Sequence, residues 1–190
     1  MKRIAIFASG RGSNALKIIE HFEHNSKVEI ALIVSNKPTA AVLSLADDRQ
    51  IPSLVINRQK FYHTEEFLED LRAYDIQLIV LAGFLWLIPE YLVRHYPRRI
   101  INIHPALLPK YGGKGMYGSN VHKAVCAAKE KESGITIHFV NEKYDDGAII
   151  FQAKCALDPT DEPAQIAQKV LGLEHKYFAK VIERLLQEIY

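Results

Sequence analysis

The sequence predicts an α/β fold, namely an open, mostly parallel, doubly wound sheet with an antiparallel C-terminal part. Short apolar runs of strand length alternate with helical segments over the first hundred residues or so. These runs are continuously apolar, which is typical of parallel strands buried on both faces. Such alternation implies right-handed crossovers between parallel strands. After Pro105 the order changes, because two predicted strands follow one helix and are joined by a polar connection at 141–147.

The individual elements follow from these runs and from the residues that bound them. In the first part of the chain we predict strands at 4–8, 28–34, 54–56, 78–82 and 100–104. Helices are predicted from Ser13, as its cap, to about 24, at 41–49, from the acidic turn Thr64-Glu65-Glu66, and from Pro89 to about 96. In the second part we predict a mobile glycine-rich loop at 112–118, a helix at 119–129, strands at 134–140 and 148–153, and a helix at 163–189.

Length and composition exclude several classes of protein. A chain of 190 residues with 48% hydrophobic residues is typical of one globular domain, which we place at 1–190. The 24 basic and 22 acidic residues give a net charge of +2, so no nucleic-acid partner is expected. No apolar run is long enough to span a membrane, and the N-terminal run is too short for a signal peptide. Cys126 and Cys155 fit no metal or redox spacing, which favours reduced thiols and a cytoplasmic location.

A turn with two glycines separates the first predicted strand from the first helix. Gly10, Gly12 and Ala15 satisfy the spacing of the dinucleotide fingerprint, but the second strand is not followed by the acidic residue that this fingerprint expects. The simpler function is the binding of one phosphate by main-chain N–H groups at a helix N-terminus, with Ser13 and Asn14 as further donors. A tight turn with a helix cap is the alternative.

The fifth predicted strand carries a polar pair at its carboxyl end. Asn102 and His104 are two positions apart, so both side chains point to the same face of the strand. Pro105 disfavours helical backbone at His104 and lacks an N–H donor, so the strand ends there. Ligands of open α/β sheets bind beyond the carboxyl ends of the strands. We therefore predict that this pair belongs to a reactive centre, although a histidine at a strand end also serves structural roles.

Two further polar residues are candidates for the same centre. Asp145 precedes an Asp-Gly pair in the polar connection, where turn chemistry is the plain interpretation, and it becomes catalytic only if the fold brings it to His104. His138 lies on the apolar strand before it, either as a satisfied core histidine or as a support behind the catalytic residues. These side chains and His122 show no recognised metal-ligand spacing, so no metal is expected.

Several stretches together show a resemblance that covers nearly the whole chain. Residues 102–109, Asn-Ile-His-Pro-Ala-Leu-Leu-Pro, resemble the Asn-Ile-His-Pro-Ser-Leu-Leu-Pro motif of the folate-dependent formyltransferases. Residues 134–147 resemble their second signature, in which the Asp two residues before a Gly is essential, and residues 81–84 resemble their folate-side loop. Residues 10–14 resemble the phosphate-binding loop of the members that act on glycinamide ribonucleotide. The family implies a Rossmann-like formyltransferase fold.

The resemblance also implies an activity in purine biosynthesis. The enzyme would transfer the formyl group of its cosubstrate, 10-formyltetrahydrofolate, to the amine of glycinamide ribonucleotide. Asn102, His104 and Asp145 would be catalytic, with the Asn102 amide and a protonated His104 donating to the formyl oxygen and Asp145 favouring the imidazolium. Residues 1–100 would form the phosphate-binding half of the domain and residues 101–190 the folate-binding and catalytic half. The partners would be small-molecule substrates, with a monomer or homodimer as the assembly.

The remaining site residues are assigned by the same resemblance. Glu174 would contact the glycinamide or ribose part of the substrate. The substrate phosphate would be bound by Gly12, Ser13 and Asn14. The folate-binding residues would be Leu85, Trp86, Leu87, Ile88, Asn102, Val140, Asn141 and Tyr144. The chain lacks an arginine that some relatives use near the folate tail, and Arg58 or Lys60 is expected to replace it.

Three alternatives share some of these features. Methionyl-tRNA formyltransferase has the same catalytic trio but adds a basic C-terminal domain, and formyltetrahydrofolate deformylase has a regulatory domain before the catalytic one. Neither additional domain is expected in this sequence. A nucleotide- or phosphate-binding module without catalysis is the alternative from a different class, and it gives no reason for Asn102, His104 and Asp145 to occur together.

Overall fold

The computed structural model describes residues 1–189, in which seven strands form one sheet. The strands are β1 (Lys2–Phe7), β2 (Val28–Ser35), β3 (Ser53–Val55), β4 (Leu78–Leu81), β5 (Ile100–His104), β6 (Glu132–Phe139) and β7 (Ile149–Ala156). Their order across the sheet is β3-β2-β1-β4-β5-β6-β7. β1 pairs in parallel with β2 and β4, β2 pairs in parallel with β3, and β6 pairs antiparallel with β7. The predicted fold class is confirmed.

Seven helices occur in the same described residues. They are α1 (Ser13–Phe22), α2 (Ala41–Asp48), α3 (Arg58–Tyr62), α4 (Phe67–Ala73), α5 (Glu90–His95), α6 (Ser119–Ala127) and α7 (Pro163–Ile189). Among residues 1–189, no helix is long and apolar enough to cross a membrane. Tyr190, the last residue of the predicted domain, lies outside the described residues.

The chain divides into two compact units, and the boundary falls inside β5 between Ile101 and Asn102. Unit 1, residues 1–101, has β1 and β4 at its core, and every residue of β4 is buried. One face of α1 is buried through residues spaced three or four apart, which is the pattern of an amphipathic helix: Ala15, Ile18, Ile19 and Phe22. An aromatic cluster with edge-to-face ring contacts fills the space beside β1: Phe7, Phe61, Phe67 and Phe84.

Unit 2 begins at Asn102 and contains β6, β7, α6 and α7. Thr136 on β6 is fully buried and fixes the segment that follows β5. Its hydroxyl donates to the Ala106 carbonyl at 2.7 Å and accepts from the Leu108 N–H at 3.0 Å. Gln152 on β7 donates to the same hydroxyl at 2.9 Å. The end of β5, which carries the predicted polar pair, is therefore anchored to β6 by a buried hydroxyl.

Two predicted helix starts are wrong. Gly12, not Ser13, is the N-cap of α1, because its left-handed backbone (φ 77°) turns the chain into the helix and Ser13 is already helical. The helix predicted from Thr64 begins at Phe67 as α4, since the Thr64 hydroxyl donates to the Lys60 carbonyl at 3.1 Å and closes the preceding turn. That turn belongs to α3, a five-residue helix that the sequence analysis did not predict.

Candidate active site

The loop after β1, residues 8–12, is held by two main-chain hydrogen bonds and by the Ser9 hydroxyl, all within unit 1. The N–H of Ser9 donates to the Gly83 carbonyl at 3.1 Å, and the Ser9 hydroxyl accepts from the Leu85 N–H at 2.9 Å. The N–H of Val42 donates to the Gly10 carbonyl at 3.1 Å. Ser9 thus ties this loop to the segment that follows β4, which contains the predicted folate-side residues.

The glycine that caps α1 is required by two independent features. Its φ of 77° lies in the left-handed region, and a Cβ added to Gly12 would lie 2.7 Å from Cγ2 of Val42. Ser13 is exposed and Asn14 is half-buried at the first turn of α1. The first N–H groups of a helix lack intrahelical partners and carry the positive end of its dipole, so this turn has the chemistry of a phosphate site.

The segment between β4 and α5 presents the first group of predicted folate-side residues. Leu85 is exposed and Trp86 and Leu87 are half-buried, whereas the side chain of Ile88 is buried and offers little surface to a ligand. The Tyr62 hydroxyl donates to the Leu87 carbonyl at 3.0 Å and so fixes the segment to α3. The Arg58 guanidinium lies over the Trp86 ring, 5.0 Å from its centroid.

Unit 2 brings the predicted catalytic residues together in what we call the polar cluster: Asn102, His104, His138 and Asp145. His104 Nδ1 lies 3.4 Å from Asp145 Oδ2, and Asn102 Nδ2 lies 3.4 Å from Asp145 Oδ1. Asn102 Nδ2 also lies 3.1 Å from His138 Nε2. The side chains of His104, His138 and Asp145 are buried, with exposed fractions of 4%, 2% and 11%. The condition set for Asp145, that the fold bring it to His104, is met.

Asp145 reaches the cluster because the connection between β6 and β7 is tightly turned. Asp145 itself has a left-handed backbone, with φ of 54°. Gly147 passes so close to the Phe139 carbonyl that an added Cβ would collide with it. A main-chain atom cannot move aside as a side chain can, so glycine at position 147 is a steric requirement of this turn.

The partners of the two histidines indicate which ring nitrogen carries the proton. His104 Nε2 lies 2.8 Å from the Tyr111 carbonyl, which only accepts, so Nε2 is the protonated nitrogen and Nδ1 faces Asp145. His138 Nδ1 lies 2.8 Å from the Phe139 carbonyl and is protonated by the same argument. Its Nε2 then accepts from the Asn102 amide when the ring is neutral. His138 therefore contacts the Asn102 amide, and its supporting role stays a prediction.

The pKa of His104 is set by opposing effects. Burial lowers the pKa of the ring by more than Asp145 and the Tyr111 carbonyl raise it, and His138 lowers it further. Asp145 therefore acts in the expected direction and favours the imidazolium, while burial favours the neutral ring on balance. Burial raises the pKa of the Asp145 carboxyl, but His138, His104 and the Gly113 N–H together outweigh that effect and hold the pKa below its usual value.

Two main-chain groups that contact the cluster, and one buried histidine that interacts with it electrostatically, were not predicted as site groups from the sequence. The Tyr111 carbonyl and the Gly113 N–H, which donates to Asp145 Oδ2 at 2.9 Å, are main-chain groups that no residue pattern indicates. His122 on α6 is buried, and burial together with His104 lowers the pKa of its ring. In the sequence, the position of His122 beside Val121 and three residues before Val125 could have indicated that its side chain lies on the buried face of α6.

The other predicted residues of unit 2 lie on α7 and on the connection between β6 and β7. Glu174 is buried on α7. Val140 and Asn141 are half-buried and Tyr144 is exposed on the connection between β6 and β7. Within residues 1–189, no three His, Cys, Asp or Glu side chains are arranged to hold a metal ion.

A comparison with family models matches residues 2–182 to the model described as Formyl transferase. The chain belongs to the Formyl transferase family. Its residues 102–109 and 134–147, which carry the family resemblance, supply all four residues of the polar cluster. The cluster thus lies within the residues that match the family model.

Individual relatives within this family share nearly the whole chain. The chloroplastic phosphoribosylglycinamide formyltransferase of Arabidopsis thaliana is 42% identical to this chain, and the match covers 98% of this chain. The chain spans 66% of the length of that relative, just under two thirds. The cowpea relative of the same name, from Vigna unguiculata, is 38% identical, and the chain spans 62% of its length. The phosphoribosylglycinamide formyltransferase of Bacillus subtilis is 38% identical, with 98% of this chain and 95% of that protein covered.

Solved structures show the same similarity. The phosphoribosylglycinamide formyltransferase of Anaplasma phagocytophilum superimposes with a TM-score of 0.89 at 33% identity, covering 98% of this chain and 87% of its own. The enzyme of that name from Bacillus halodurans superimposes with a TM-score of 0.88 at 32% identity, covering 100% and 97%. The fold of this formyl transferase family member is therefore that of its named relatives.

Proposed function

We propose that this chain transfers the formyl group of 10-formyltetrahydrofolate to the amine of glycinamide ribonucleotide, which is phosphoribosylglycinamide, in purine biosynthesis. The observation that carries the proposal is the buried contact of His104 with Asp145, beside the Asn102 amide, at the end of β5. A binding module has no need of an amide donor, an imidazole and a carboxylate in mutual contact. The names of the relatives supply the substrate.

The Asn102 amide is the proposed donor to the formyl oxygen. When the substrate amine attacks the formyl carbon, that oxygen becomes negatively charged and needs a positioned N–H. Asn102 Nδ2 has two hydrogens, which here face His138 at 3.1 Å and Asp145 at 3.4 Å. The contact with Asp145 is long for a hydrogen bond and therefore weak, so this is the hydrogen that the formyl oxygen would take.

His104 is proposed as the group that moves the proton. The attacking amine becomes an ammonium as its bond to carbon forms, and the departing folate nitrogen needs a proton as its bond to carbon breaks. A neutral His104 accepts the first proton on Nδ1, directly or through water, and returns it to the folate nitrogen. Asp145, 3.4 Å away, stabilises the imidazolium during the time between these steps. No net proton is taken up or released.

Substrate binding is assigned to the loops described above. Gly12, Ser13 and Asn14 would hold the substrate phosphate at the first turn of α1, and Glu174 would contact the rest of the substrate. Within unit 1 the pterin would lie against Leu85, Trp86 and Leu87, with Ile88 contributing main chain. Asn102, Val140, Asn141 and Tyr144 are the proposed folate contacts of unit 2.

Near the folate tail, the contacts favour Arg58 over Lys60. Lys60 is paired with Asp70 at 2.6 Å, whereas the Arg58 guanidinium stacks on the Trp86 ring. A guanidinium supported in this way can bind a carboxylate with both nitrogens. Arg58 is therefore the proposed replacement for the missing arginine.

The reaction is tested by following deformylation of 10-formyltetrahydrofolate by absorbance, with and without glycinamide ribonucleotide. The proposal expects turnover only with the ribonucleotide, and a loss of about 10²- to 10⁴-fold in His104→Ala and Asp145→Asn. Exposed residues of the same types provide matched controls, namely His24→Ala and Asp48→Asn, which should retain full activity.

Other outcomes identify the alternatives. Turnover without the ribonucleotide would identify a deformylase. Absence of turnover from folded protein would contradict catalysis, and thermal shifts with the folate analogue and the ribonucleotide would then show whether a binding function remains.

We further propose a cytoplasmic location, which the free thiols of Cys126 and Cys155 support. The assembly is proposed to be a monomer or homodimer that acts on small molecules. Cell fractionation and light scattering test these two statements.

A further inference from the structure

A short segment of unit 2, residues 111–113, contacts both His104 and Asp145 through its main chain. We call it the clamp segment. The carbonyl of Tyr111 accepts from His104 Nε2 at 2.8 Å, and the N–H of Gly113 donates to Asp145 Oδ2 at 2.9 Å. Because both groups belong to the main chain, their placement depends on whatever holds the segment in position.

The side chain of Tyr111 joins the segment to the turn between α6 and β6. The Tyr111 hydroxyl donates to Glu130 Oε1 at 2.9 Å, in the turn between α6 and β6. Lys110 Nζ contacts the same oxygen at 2.9 Å, but its side chain is 68% exposed, whereas that of Glu130 is 25% exposed. Tyr111 has a left-handed backbone with φ of 57°, a conformation that is unfavourable for a tyrosine and persists only where contacts impose it.

We propose that Tyr111 and Glu130 are positioning residues, whose hydrogen bond holds the clamp segment so that His104 keeps its proton on Nε2 and presents Nδ1 to Asp145. The consequence for activity rests on the proposed function, but the position of the proton is a property of the folded chain.

The tautomer matters because only one form of a neutral His104 can work beside Asp145. With the proton on Nε2, the lone pair of Nδ1 is free to accept a proton next to the carboxylate. With the proton on Nδ1, the ring donates to Asp145 and has no lone pair on that side. Asp145, His138 and His122 all face this ring electrostatically, but the Tyr111 carbonyl is the contact that requires a hydrogen on Nε2.

The first test measures the tautomer by ¹⁵N NMR of the imidazoles, with the His104 signals assigned by their loss in His104→Gln. The wild type should show one protonated and one unprotonated nitrogen for His104 near pH 8. In Tyr111→Phe and Glu130→Ala, the two shifts should move toward each other as the tautomers mix. Unchanged shifts in both variants would overturn the proposal, whatever reaction the enzyme catalyses.

The second test measures kinetics. We expect kcat to fall about tenfold in Tyr111→Phe and in Glu130→Ala, with KM for both substrates within about twofold of wild type. Glu130→Gln keeps an acceptor for the phenol and should stay close to wild type. Lys110→Met is the matched control, since it removes only an exposed ion pair and should leave kcat unchanged.

The double variant Tyr111→Phe/Glu130→Ala tests whether both residues act through one bond. In that case the double variant is no slower than either single variant. Additive losses would mean that the residues act separately and would overturn the positioning role. If the tautomer shifts as expected while no formyl transfer is found in wild type, the clamp stands and the proposed function fails.

Discussion

The loop after β1 is shaped by main-chain contacts, whereas the polar cluster is shaped by four side chains from two strands and a connection. In the loop, the Ser9 N–H donates to the Gly83 carbonyl, the Gly10 carbonyl accepts from the Val42 N–H, and Gly12 makes the final turn. In the cluster, Asp145 is approached by both histidines and by Asn102. The loop can therefore lose a side chain that takes no part in these contacts, such as that of Ser13, and keep its shape, while each side chain of the cluster is needed by its neighbours.

This difference predicts how each region responds to the loss of one polar side chain. Asn102→Ala should lower kcat by about 10²- to 10³-fold, because it removes the proposed donor to the formyl oxygen. Ser13→Ala should leave kcat unchanged and raise KM for the ribonucleotide a few-fold, since main-chain N–H groups remain. Steady-state kinetics for both substrates measure kcat and KM of the two variants. A large fall in kcat in Ser13→Ala would contradict the expected difference between the loop and the polar cluster.

The backbone of the loop should be far more sensitive than its side chains. Gly12→Ala combines a left-handed φ with a Cβ 2.7 Å from Val42, and we expect the free energy of unfolding to fall by about 2–4 kcal/mol. Gly10→Ala is the matched control, because a Cβ there meets nothing within 4 Å. Urea unfolding measures both variants. In a cycle with Val42→Ala, the double variant should be less destabilised than the sum of the single variants, and simple additivity would contradict the clash.

The smallest expected effect is a pH dependence that arises in unit 2. Burial lowers the pKa of His104 and of His122 below 6.5, so the unfolded chain binds more protons and the free energy of unfolding falls as the pH drops below 6.5. Each histidine contributes at most about 1.4 kcal/mol per pH unit below that value. Asp145, whose pKa is also lowered, adds stability that is lost only below about pH 4.

Urea unfolding at pH 5.5 and 7.5 measures this dependence, and His122→Gln should make it shallower. His24→Gln, at an exposed position, should leave the slope unchanged. Equal slopes in wild type and His122→Gln would show that the buried ring of His122 does not titrate as expected.

The parts of the molecule that the sequence predicts are those that depend on local pattern. Continuous apolar runs predict the buried strands, and the i, i+2 spacing predicts that Asn102 and His104 share a face. The lowered pKa of His104 escaped prediction because burial opposes the effect of Asp145, and both depend on contacts across many residues. The clamp contacts of Tyr111 and Gly113 escaped because main-chain groups carry no residue signature. The short helix α3 escaped because its five residues are too few to show a period.

The double role of Ser9 has a thermodynamic consequence for ligand binding. Its N–H and hydroxyl join the loop proposed for the phosphate to the segment proposed for the pterin. A ligand that orders one of these segments also restricts the other through Ser9. The second ligand then loses less conformational entropy of the chain when it binds, so the two different ligands bind with positive cooperativity. Linkage then requires reciprocity, so each ligand should tighten the other by the same factor, and replacing Ser9 by alanine should reduce that factor toward one.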